Sequence, residues 1–188
     1  MPPFNDVSLW TIYVLLTFLL IVAAIIDFRV QKIPNILTFP AILVFLVYHG
    51  ATAGFQGLRF SSLGLITGIG LLLPIYLFGG MGAGDAKLMG AIGAAIGTRD
   101  VFEAFLFTGL FGGVYALIIL YTHRQQCQAF ISRHLLVLKT FFFTRQFIPV
   151  PAEKNEIRPP RLCYGLAISA GTMTQIILKI TGYSIIPL

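Results

Sequence analysis

Charge is scarce in this sequence: Asp, Glu, Lys and Arg make up 11% of its 188 residues, less than half the roughly 25% usual in a soluble domain. That scarcity excludes a water-soluble globule, because 57% hydrophobic residues are too many to hide in one small core. The formal charge of +6 does not signal nucleic acid either, since a basic binding face comes with the polar surface that is missing here. Cysteine is almost absent. Cys127 and Cys163 lie far apart and form no CxxC pair, which argues against a disulfide framework and a zinc ribbon. No Lys or Arg precedes Arg29, so the first apolar run lacks the basic flank of a secretory signal peptide and is expected to remain as an anchor.

What is present in abundance is apolar sequence in runs. Leu9–Ile26, Ile36–His49, Phe60–Phe78, Ala86–Gly97, Val101–Tyr121 and Leu162–Ile180 are separated by turn residues or charges. A span needs about 20 apolar residues, so the expected fold is all-α: a polytopic integral membrane protein with about six transmembrane helices in a single domain over residues 1–188. The second and fourth runs are short for a full span. They fit helices that begin below the surface, where protein shields the backbone.

Basic residues set the orientation. With the N-terminus outside, the inner loops hold Arg29, Lys32, Lys87, Arg124, Arg133, Lys139, Arg145, Lys154, Arg158 and Arg161, and the outside keeps only Arg59, Arg99 and Lys179. This is a positive-inside distribution. It predicts a multi-pass protein of the cell inner membrane with a cytoplasmic or interfacial loop at about 122–161. A seventh span through Leu135–Leu138 would put Arg133 and Lys139 into hydrocarbon at about 2.5–3.5 kcal/mol each.

Topology then sorts the seven carboxylates. Asp6, Asp100 and Glu103 fall at the outer face, Glu153 and Glu156 in the hydrophilic inner loop, and only Asp27 and Asp85 where an apolar helix meets the cytoplasmic surface. Asp85 follows a glycine run, Gly79-Gly80-Met81-Gly82-Ala83-Gly84, which permits a tight turn and close approach of another chain. As the N-cap of helix four it would have a purely structural use. Asp27 precedes Arg29, Lys32 and Ile33-Pro34-Asn35. Asn35 is placed to cap helix two, and the structural reading of Asp27 is a weak exposed salt bridge with Arg29 or Lys32.

Taken together, Asp27 with Arg29 and Ile33-Pro34-Asn35, and Gly82-Ala83-Gly84-Asp85-Ala86-Lys87, resemble the two aspartate motifs of the type IV prepilin peptidase family, the second being its GxGD motif. Tyr164-Gly165-Leu166-Ala167-Ile168 is similar to the family's Pro-Tyr-Gly-x-Ala-Ile region, with Cys163 where proline is often found. The resemblance implies a membrane aspartic endopeptidase that removes the basic leader from type IV prepilin-like precursors at the cytoplasmic membrane face. It implies Asp27 and Asp85 as the catalytic pair, Gly82, Gly84, Lys87, Arg29, Pro34, Asn35, Tyr164 and Gly165 as motif residues around them, and no cofactor. Which aspartate is the base stays open, because coupled carboxylates titrate as a unit.

The chain looks more like the short, peptidase-only members that serve tight-adherence (Flp) pili than like the longer bifunctional enzymes, so no methyltransferase activity is expected. The expected partners are prepilin-like precursors and the lipid bilayer. His123 and Cys127 share a helix face but offer only two metal ligands. The rival from another class is an ion- or proton-coupled transporter using Asp27 and Asp85. Such a protein would keep its carboxylates near the midplane and often repeats its halves.

Overall fold

The computed structural model describes residues 6–77, 80–122 and 163–182. Helix accounts for nearly all of them: α1 (Asp6–Val30), α2 (Asn35–Leu77), α3 (Ala83–Thr122) and α4 (Tyr164–Ile180). Three of these, α1 from Leu9 onward, α2 and α3, are long and apolar enough to cross a membrane. The chain is an all-α integral membrane protein. The segment expected at about 122–161 lies outside the described residues, save Thr122.

The 43 residues of α2 and 40 of α3 would make rods of about 65 and 60 Å, roughly twice the 30 Å hydrocarbon core. Both helices break where the chain supplies a glycine. In α2 the break is at Ala53 and Gly54, with Gly54 at φ 56° and ψ −139°; in α3 it is at Gly97, with φ 85° and ψ 175°. L-residues rarely adopt either conformation. The breaks yield rods 35–52, 55–77, 83–96 and 98–122, which with α1 and α4 correspond to the six apolar runs. The boundaries shift outward, however. α1 continues to Val30, so Asp27 lies inside its last turn rather than beyond the helix end.

Rod 83–96 forms the centre of the bundle. Every residue from Leu88 to Gly97 is buried, which its small side chains allow. Gly64 and Gly93 meet face to face: a Cβ on either would stand 2.0 Å from the other's carbonyl oxygen. One turn along, a Cβ on Gly68 would stand 2.3 Å from the Met89 carbonyl oxygen. Small residues bring membrane helices into such contact because close packing, rather than a hydrophobic drive, holds helices together in lipid. Rod 35–52 adds His49 Nε2, 3.0 Å from the Ala95 carbonyl oxygen, and Ser61 donates to the Ala94 carbonyl at 2.8 Å.

Helix α4 lies antiparallel to α1 and to the 98–113 part of α3. Ser169 donates to the Leu20 carbonyl at 3.1 Å, and Gly171 packs on Thr108, whose amide nitrogen would be 2.5 Å from an added Cβ. At one end Lys179 pairs with Asp100, and Tyr13 of α1 sits within their electrostatic reach. Other hydroxyls, Thr67, Thr108, Thr172 and Thr174 among them, donate to carbonyls four residues back, which satisfies them where water is excluded. Exposed Val14, Phe18, Ile21 and Ile25 give α1 a lipid-facing side. By contact density the chain divides into a unit of 1–113 with 163–188 and a second of 114–162. The second is described only over 114–122, where it is helical.

Candidate active site

Asp27 is 4% exposed, held by the turn at the end of α1. The Gln31 N–H donates to the Asp27 carbonyl at 2.8 Å, and Gln31 takes φ 53°, the left-handed conformation that commonly terminates helices. The Asp27 carboxylate meets the start of α4, whose Gly165 and Leu166 N–H groups donate to it. Free N–H groups at a helix N-terminus favour an anion there. The approach requires glycine, since a Cβ on Gly165 would fall 2.9 Å from the Asp27 Cβ, Cγ and Oδ2 atoms. Oδ2 is buried with no hydrogen-bond partner among the described residues. The ion pair considered from sequence does not form: neither Arg29 nor Lys32 bridges to Asp27, and both are exposed.

Asp85 lies in the first turn of α3 and is 9% exposed. It is not the N-cap. The helix begins at Ala83, which makes Asp85 its third residue; its Oδ2 reaches back to the Gly82 N–H at 3.2 Å, the acidic half of a capping box. The sequence suggested the cap position because glycines precede Asp85, but they are themselves taken into the turn. Asp85 stands close enough to Asp27 to feel its charge, and Tyr164, half-buried before Gly165, feels that of Asp85. Residues from α1, α3 and α4 thus converge at the end of the bundle remote from Asp100 and Lys179.

The remaining motif residues build the wall beside Asp85. An added Cβ on Gly84 would stand 2.7 Å from the Ile33 carbonyl oxygen, so the α1–α2 connector packs against the first turn of α3. Lys87 Nζ donates to Asn35 Oδ1 at 2.8 Å and lies 4.8 Å from the centroid of the Phe39 ring. Asn35 is therefore the first residue of α2 and a partner of Lys87, not the cap expected from sequence. Pro34 contributes its carbonyl to the Leu37 N–H at 3.1 Å. The structure brings together every motif residue except Arg29, which points to the exterior. Phe39 and the Leu166 N–H did not stand out in the sequence; the signal for Phe39 was its position four residues after Asn35, on the same helix face. Among the described residues no three His, Cys, Asp or Glu side chains converge as a metal site would require. His123, Cys127, Glu153 and Glu156 lie outside the described residues.

Residues 14–117, more than half of the chain and both aspartates included, match the type IV leader peptidase family. The chain belongs to that family. It is 32% identical over 124 residues to the prepilin leader peptidase/N-methyltransferase of Escherichia coli K12, covering 62% of this chain and 54% of that protein. Against the protein of the same description from Neisseria gonorrhoeae it is 34% identical over 112 residues, 56% of this chain and 39% of that one. The Aeromonas salmonicida protein gives 32% over 120 residues, 59% and 41%. The chain thus spans about half the length of the curated relatives it matches. No solved structure matches it.

Proposed function

We propose that this chain is a membrane aspartic endopeptidase that removes the leader from type IV prepilin-like precursors, those of tight-adherence pili included. The observation that carries the proposal is the meeting of Asp27 and Asp85, two buried carboxylates from different helices, at one end of the bundle. Two such groups do not both ionise readily and share a proton. The ionised partner takes a proton from water as that water attacks the scissile carbonyl, while the protonated one donates to the carbonyl oxygen. The departing amine then collects the proton first taken from water. The relatives' names couple leader peptidase to N-methyltransferase; a carboxylate pair supplies the chemistry of the first, and that is the activity proposed.

The orientation proposed from the basic residues puts this end at the cytoplasmic face, where water and a basic leader reach the carboxylates. Purified Asp27→Asn and Asp85→Asn variants, assayed against a prepilin precursor by mobility shift and N-terminal sequencing, test the reading. Asn preserves size but accepts no proton from water. Each variant is expected to lose cleavage while still inserting, the double variant is expected to be scarcely worse than either, and Glu153→Gln and Glu156→Gln are expected to stay active. Near-normal cleavage by either Asn variant removes that residue from the pair.

A further inference from the structure

Lys87 stands two residues from Asp85, and two residues turn an α-helix by about 200°, so its ammonium faces away from the carboxylate it accompanies. Gly84 and Lys87, three apart, share one face of α3. Opposite them lie the Ile33 carbonyl and, four residues apart on α2, Asn35 and Phe39. Gly84 gives close backbone contact with Ile33, the Lys87 ammonium donates to Asn35 Oδ1 at 2.8 Å, and its remaining charge rests over the Phe39 ring at 4.8 Å. Amide oxygen and ring face together make a receptor for an ammonium group. They draw the start of α2 onto the first turn of α3, which follows a glycine-rich turn and carries Asp85 as its third residue. The other wall of the site, Asp27, is joined to Asn35 through the short connector 31–34. One joint therefore sets the placement of both carboxylates.

We propose that Lys87 is a positioning residue: clamped on Asn35 and Phe39, it holds the first turn of α3 so that Asp85 meets Asp27. The proposal rests on the peptidase reading and deepens it. Lys87 acts through Asp85 and touches no substrate, so its loss lowers kcat and leaves KM in place. Misplacement of a catalytic group by about 1 Å costs on the order of 100-fold in rate.

Lys87→Met keeps the alkyl stem and removes the ammonium; Asn35→Leu removes its acceptor. Each is expected to lower kcat 10- to 100-fold with KM within about threefold, and the double variant to fall no further than the worse single one, since both break the same joint. Lys87→Arg, which donates to Asn35 and stacks on Phe39, is expected to recover most of the rate. Losses that multiply in the double variant, or a raised KM at constant kcat, would overturn the clamp. Amide hydrogen exchange over 83–89, measured on the full-length variants in lipid, reads the joint independently of cleavage. It is expected to quicken at least tenfold in Lys87→Met, and unchanged exchange also overturns the proposal. If the unmodified protein cleaves no prepilin, the peptidase reading fails, and the exchange data still decide the clamp.

Discussion

At Gly165 a single methyl group decides whether α4 reaches Asp27. A Cβ there would meet three atoms of the aspartate at 2.9 Å, so Gly165→Ala must drive α4 back and withdraw the two N–H donors it aims at the carboxylate. If Asp27 is catalytic as proposed, we expect that variant to insert normally and to lose at least about tenfold in cleavage, since a catalytic group displaced by fractions of an ångström is costly. Ser169→Ala, one turn along, removes a hydroxyl bonded to the Leu20 and Gly165 carbonyls. It should cost only about 1 kcal/mol, seen as a small fall in melting temperature with cleavage preserved. Asp27 and Asp85 stood out in the sequence because a carboxylate is rare enough in so apolar a chain to need a reason. Gly82 and Gly165 were legible as motif residues, but not their use as main-chain donors to the carboxylates. Asp27 accepts from main-chain N–H groups of a helix that begins 137 positions later in the chain, and main-chain donors carry no signature in residue type.

The helices themselves were legible as apolar runs, and their ends were misplaced for one physical reason. An apolar run reports contact with lipid or core, whereas a helix continues as long as its backbone bonds do. Thus α1 passes through Asp27 and Arg29 to Val30, and the rods of α2 approach to within two residues of each other at Ala53 and Gly54. The terminus of α1 offers a test. Gln31 holds a positive φ at the position where glycine is preferred, and its side chain is exposed. Gln31→Gly is therefore expected to stabilise the protein by about 0.5 kcal/mol, the relief of left-handed strain less the entropy that glycine loses; thermal unfolding in detergent measures it. At Gly64 the sign reverses. Gly64→Ala would force rods 55–77 and 83–96 apart against the Gly93 carbonyl, at a cost of at least about 2 kcal/mol, visible as a lower yield of folded protein.

Across the whole molecule the two ends differ in kind. One gathers Asp27, Asp85 and Tyr164; the other holds the Lys179–Asp100 pair, and the proposed orientation would put it on the outer side. Asp100 is nine-tenths buried, so Lys179→Met should destabilise more than the double variant Lys179→Met with Asp100→Asn, which leaves no uncompensated charge. For orientation, Asn155→Cys in a chain with Cys127 and Cys163 changed to Ser is expected to label only from the cytoplasm. Labelling from outside would invert the assignment. The central rod has a bearing on biogenesis as well. Residues 83–96 reach only about 21 Å, carry Asp85 and Lys87, and consist largely of glycine and alanine, so as they leave the ribosome they have too little affinity for hydrocarbon to partition into it alone. Packed against the glycines of 55–77, they are expected to enter the bilayer as the second arm of a hairpin, which would make the segment that bears Asp85 dependent for its insertion on a neighbour already in place.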